Sequence, residues 1–183
     1  RYIGSVSLDA ALNNGTGEVT FEASAKDSGY NFQIKGGMNL QDSTKALAIR
    51  LDAEEMNLEI LEPFLGTIFS DMKGIAKTNL EVFGEPNRLY LVGDAYLDSA
   101  SFLIAYTQCR YSIAKQRIQF NKDEINLGRL RLTDTLGNTG TLTGKIGHEF
   151  FDKLYFDNLR LETSKMMLLN TTAVHNEQFY GSV

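Results

Sequence analysis

The chain has 183 residues, of which 43% are hydrophobic and 22% charged, and its formal net charge is −5. That composition excludes a disordered chain and suits one domain or a slice of a repetitive one. Acidic and basic residues are interspersed, so there is no basic stripe for a phosphate backbone and nucleic acid is set aside as a partner.

From the N-terminal end, the dominant signal is alternation with period two. Tyr2, Gly4, Val6, Leu8, Ala10 and Leu12 alternate with mostly polar residues, and Asn13–Gly17 reads as a turn. Val19, Phe21, Ala23 and Ala25 form the next predicted strand, and Asp27-Ser28-Gly29 the next turn. Tyr30 to Leu40 and Leu47 to Ala53 alternate in the same way. From Asn57 to Met72 the rhythm changes. Leu58, Leu61, Phe64, Leu65, Ile68 and Phe69 recur at helical spacing, which predicts one short amphipathic helix over about 57–73, lying on the sheet as a cover or as a lid. Strands then resume at Ala76–Val82 and Leu89–Leu97, with Tyr90, Val92 and Tyr96 on the other face of the latter. Further short strands are expected at Phe102–Tyr106, Ile118–Phe120, Ile125–Leu127, Leu130–Leu132, Gly140–Ile146 and Leu154–Phe156, with a bulge before Leu159 and Leu161. The expected class is all-β and mostly antiparallel: a meander, barrel, sandwich or solenoid-like sheet.

The chemistry-bearing residues form no catalytic or metal-binding constellation. His148 and His175 lack companions at ligand spacing. Glu54-Glu55 and Asp123-Glu124 are adjacent pairs, whose side chains point apart in a strand. Gly36-Gly37 and Gly137-Asn138-Thr139-Gly140 open no helix and read as turns or bulges rather than phosphate loops. The single Cys109 can form no internal disulfide. The expectation is a non-enzyme without cofactor or metal.

Three stretches carry a family resemblance. Leu58-Glu-Ile-Leu-Glu-Pro-Phe-Leu-Gly66 is followed by Asp71-Met-Lys-Gly74. Leu80-Glu-Val-Phe-Gly-Glu-Pro-Asn-Arg-Leu-Tyr-Leu-Val-Gly93 forms a strand, a Gly-x-Pro turn and a second strand. Asp134-Thr-Leu-Gly-Asn138, Gly144-Lys-Ile-Gly-His148 and Phe179-Tyr-Gly181 complete the set. In this order and spacing, from about Leu47 onward, the chain resembles the TamB family of the Gram-negative cell envelope, in its Bacteroidetes type and near the C-terminal part.

The resemblance implies that residues 1–183 are one β-rich segment of a longer, repetitive periplasmic protein whose parent is anchored in the inner membrane. It implies a long curved sheet folded into an apolar groove, a β-taco. It also implies phospholipid acyl chains as cargo, and an outer-membrane barrel of the Omp85 type as a partner of the parent protein. The candidate lining is Phe21, Phe32, Ile34, Ile49, Leu51, Leu80, Val82, Leu89, Leu91, Phe102, Ile104, Phe120 and Leu132, each on the more apolar face of its predicted strand. Two other functions compete with lipid carriage. One is a scaffold for outer-membrane protein assembly, whose sheet edges pair with client strands. The other is a closed sandwich that binds sugar or protein at the cell surface.

Overall fold

The computed structural model describes residues 5–27, 29–41, 47–62, 66, 69–85, 88–149, 153–174 and 180–183. Ten strands form one antiparallel sheet in strict sequence order. They are β1 (Val6–Asn13), β2 (Glu18–Asp27), β3 (Tyr30–Asn39), β4 (Leu47–Asn57), β5 (Phe69–Glu85), β6 (Arg88–Ile104), β7 (Cys109–Phe120), β8 (Glu124–Asp134), β9 (Thr139–Glu149) and β10 (Lys153–Thr163). A two-residue pair, β11 (Asn170–Thr171) and β12 (Gly181–Ser182), lies apart from the sheet. Among the described residues β1 and β10 each pair with a single neighbour, so the sheet is open.

Turn chemistry explains the connections. Asn13 accepts on its side-chain oxygen from the Gly15 and Thr16 amides (3.0 and 3.3 Å), while Gly17 N–H closes onto Asn13 O at 2.7 Å. Such side-chain mimicry of a turn is what asparagine does best. Between β8 and β9, Asp134 plays the same part for Leu136 and Asn138.

The helix expected over 57–73 is corrected at its two ends. Asn57 ends β4, and Leu58–Leu61 is a 3-10 turn capped by the Asn57 side chain. Phe69 to Met72 belong to β5. No helix of seven or more residues occurs among the described residues. Pro63, Phe64, Leu65 and Ile68 of that expectation lie outside the described residues. The physical reason is pairing: Phe69 and Ser70 oppose Ile104 and Leu103 in β6, and the Phe69 ring meets Phe102 edge-on at 5.1 Å. Cross-strand packing of this kind overrides a local helical rhythm. Gly36-Gly37, expected in a turn or bulge, instead lie within β3, where a Cβ on Gly36 would stand 2.6 Å from the Phe21 ring.

Strands β4, β5, β6, β8 and β10 each carry one extra residue against a neighbour; in β5, Ser70 to Lys73 opposes Leu103 to Ser101. Ala53 to Met56 opposes Thr78 to Ala76, and Asp98 to Ser101 opposes Ile75 to Lys73. Asn126 to Arg129 and Asp157 to Arg160 both oppose Lys145 to Thr143. The last of these is the bulge expected before Leu159. Ser99, Gly128 and Asn158 take positive φ at these points (53°, 62° and 49°). Each bulge shifts the parity of its strand by one. In β8, for example, Ile125 opposes Ile146 and, beyond the bulge, Leu130 opposes Leu142, so odd and even residues share one face.

The buried core gathers at one end of that face. Ala53, Met56, Leu58, Met72, Ala76, Ala100, Cys109, Tyr111, Ile113, Leu130, Leu132 and Met166 form it, with Phe102, Ile104 and Leu142 among the residues packed against it.

Candidate functional site

Register alone constructs a continuous apolar rung across the sheet. Reading from β1 to β10, the directly opposed residues are Leu8, Ala23, Ile34, Leu51, Leu80, Gly93, Phe120, Ile125, Ile146 and Phe156. All ten strands contribute, and no member is polar. Nine spacings of about 4.8 Å give the rung a length of about 43 Å. A second rung beside it runs Ala10, Phe21, Gly36, Ile49, Val82 and Leu91. On the other side run Val6, Ala25, Phe32, Ala53, Thr78, Ala95 and Ile118. Thr78 is the polar member of that third rung, and its hydroxyl is satisfied by Asp94 O at 2.9 Å.

All thirteen candidate residues fall on this face. Ile34, Leu51, Leu80 and Phe120 stand on the first rung, Phe21, Ile49, Val82 and Leu91 on the second, and Phe32 on the third. Leu89 opposes Gly84 one step further out. These ten are half-buried, neither sealed nor fully wetted. Phe102, Ile104 and Leu132 lie instead at the closed end, where Leu132 is buried and the Phe102 ring stands between Phe69 and Tyr111. Leu8, Ala23, Gly93, Ile125, Ile146 and Phe156 complete the rung and were not among the thirteen. Their signal was the apolar phase of their own strands, legible once the strands are set in register.

Two segments close one end of the face. The 3-10 turn brings Leu58 and Ile60 against β5, and Glu62 accepts the Met72 amide at 2.8 Å. From the other side a strap, residues 164–170, crosses the ends of β9, β8 and β7. Met166 lies over Gly140, where a Cβ would meet its sulfur at 2.6 Å. Met167 N–H donates to Asp134 Oδ2 at 2.9 Å, and Met167 O accepts the Tyr111 hydroxyl at 2.6 Å. Asn170 N–H reaches Thr107 O at 2.8 Å. Burial pushes the Tyr111 phenol well above its ordinary pKa, with Cys109 and Asp134 adding to the shift, so it remains a donor.

No family model, curated protein or solved structure matches this chain.

The opposite face is built for water. Lys35 pairs with Glu22, Arg50 with Asp52 and Glu81, Lys77 with Glu54, and Arg117 with Asp94. Most of these side chains are half-exposed or more, so each pair contributes little to stability. Their effect is to fix which face is wet. The hydrogen bond and charge of Arg50 hold the Asp52 carboxyl below its usual range, and those of Lys145 do the same for Glu124. His148 is buried near the end of β9, where loss of hydration pushes its pKa down.

Proposed function

We propose that this chain is a periplasmic segment of a TamB-like envelope protein, and that its apolar face forms a groove that carries or shields phospholipid acyl chains between the inner and outer membranes. The observation that supports this reading is the ten-strand rung. A surface that is apolar on every strand, about 43 Å long and half-buried over most of its length fits a run of methylene groups. Each CH₂ transferred from water to such a surface gains about 0.8 kcal/mol. The family and the setting in this proposal, an inner-membrane-anchored parent with an Omp85-type barrel as its partner, come from the resemblance of the motifs between Leu58 and Gly181. The groove takes its curvature from the resemblance.

The test is a charge on the rung. Leu80→Asp and Leu91→Asp in the full-length protein place a carboxylate against the acyl path, at a cost of several kcal/mol to any chain that must pass it. Outer-membrane integrity is expected to fail while the protein accumulates. Ala48→Asp, on the wet face beside Arg50, is expected to leave it intact. Thermal melts of the isolated variants separate lost passage from lost fold. A folded Leu80→Asp or Leu91→Asp protein with an intact envelope would end the acyl-chain reading.

The open edges favour a second reading, a scaffold for outer-membrane protein strands. Val6, Leu8 and Leu12 on β1, and Tyr155, Phe156, Leu159 and Leu161 on β10, are exposed next to an edge with no partner among the described residues. Edges of this kind template strand addition. Photo-crosslinks from β1 or β10 to a client strand, with no crosslink to lipid from Leu80 or Leu91, would decide for it.

A further inference from the structure

We infer that the strap of residues 164–170 is a displaceable plug, whose two thioether side chains occupy part of the apolar face that an acyl chain takes when the strap lifts. The inference rests on the acyl-chain reading above. Met166 and Met167 lie on the same side of the sheet as the rung, since Met166 covers Gly140 and Gly140 shares a face with Leu142 and Ile146 on β9. Methionine is unbranched, flexible and apolar, the side chain closest to a short alkyl tail. Gly140 has no side chain of its own, and the Met166 sulfur fills the space that a Cβ would need.

The way the strap is held differs from the way the strands are held. It joins no ladder of the ten-stranded sheet. Its ties to the sheet are few and separate: Met166 N–H to Thr163 Oγ1 (3.1 Å), Met167 N–H to the Asp134 carboxylate, the Tyr111 hydroxyl to Met167 O, and Asn170 N–H to Thr107 O. Beyond the sheet, Leu168 and Leu169 N–H meet Val183 O (2.6 and 3.1 Å), which ties the strap to the last described residues and not to a strand. Leu168 is exposed. Met166 is the one buried side chain of residues 164–170, and a segment held by one such side chain and isolated hydrogen bonds opens before the sheet does. Lifting it uncovers Leu130, Leu132, Leu142 and Tyr111, which lengthens the apolar path along the strands.

The experiment uses the 183-residue chain and a fluorescent long-chain fatty acid, cis-parinaric acid. Tyr111→Phe keeps the ring and removes the donor to Met167, and Gly140→Ala displaces the Met166 sulfur. Weakening the closed state by one hydrogen bond raises the open population, and the apparent affinity with it, by about five-fold. Tyr111→Phe is therefore expected to bind the probe about five-fold more tightly than the wild type, and Gly140→Ala to bind it more tightly as well. Hydrogen exchange on the unmutated chain gives a readout that no folding defect can confuse: saturating fatty acid is expected to speed exchange at the Met167 and Asn170 amides and to slow it in β5 and β6. If the wild type binds fatty acid while those strap amides stay as protected as before, and the variants bind no more tightly, the plug is refuted and the acyl-chain reading stands. If neither wild type nor variant binds, both fall.

Discussion

Asp134 gathers four hydrogen bonds on one carboxylate. Leu136 and Asn138 N–H donate to Oδ1, and the Asn138 side chain and Met167 N–H donate to Oδ2. Burial alone would raise its pKa, but the bonds from Met167 and Asn138 outweigh that and hold the carboxyl below its ordinary range. The native state thus binds the Asp134 proton more weakly than the unfolded chain does. The stabilisation is complete above the unfolded value near about pH 4, and is lost as pH falls through the lower native value. Asp134→Asn is expected to lower the melting temperature at neutral pH and to flatten its fall between about pH 5 and about pH 3. Asp52 and Glu124 shift in the same direction, so some acid slope remains in the variant. Parallel pH curves for wild type and variant would show that the carboxylate does not anchor this corner. The same residue holds a turn and the strap, so one protonation loosens both.

At the scale of the element, glycine and the bulges set what the strands can do. Gly93 sits mid-strand in β6 with φ 126°, and a Cβ there would lie 2.1 Å from Asn79 O on β5. Gly137 also has positive φ, 82°, in the β8–β9 turn, but nothing stands within 4 Å of its missing Cβ. Gly93→Ala is expected to cost at least about 2 kcal/mol in a denaturant melt, and Gly137→Ala about 1 kcal/mol. Equal losses would mean that backbone conformation, and not the approach of β5, fixes Gly93. The alternation in β1 to β4 and in β5 from Ala76 onward could be read from the sequence, because each run keeps one phase long enough to be recognised. The bulged strands were harder. In β7 the buried residues are Cys109, Tyr111 and Ile113, then Ile118, so the phase changes inside the strand and neither half keeps one phase for long. In β8 and β6 the same change made one strand look like two. Of the residues in the helical spacing, Leu58 and Leu61 belong to a 3-10 turn and Phe69 to the start of β5, so the rhythm runs across two elements. The candidate lining was legible because period two assigns a face within each strand. The rung was not, because pairing between strands is a property of the register.

For the whole molecule, the strand order matters more than any single contact. Each strand of the sheet is bonded only to its neighbours in sequence, and β5 and β6, at 17 residues each, are the longest. A sheet of this kind behaves as a one-dimensional array, in which stability passes between adjacent units. Hydrogen exchange is therefore expected to be slowest in β5 and β6 and to quicken in steps toward β1 and β10, with β1, exposed along its whole length, the fastest. Uniform protection across the ten strands would instead indicate a single cooperative block.

The sequential order also fixes a timetable. No strand has to wait for a distant partner, so each hairpin can close as soon as its second arm is present, and the loop that must be closed is local every time. Growth can start at any hairpin and spread both ways. The strap is the exception: its anchors are Thr107, Tyr111, Asp134 and Gly140, which lie on or beside β7, β8 and β9. It can dock only after those strands stand side by side, so covering that end of the apolar face waits on the assembly of β7, β8 and β9.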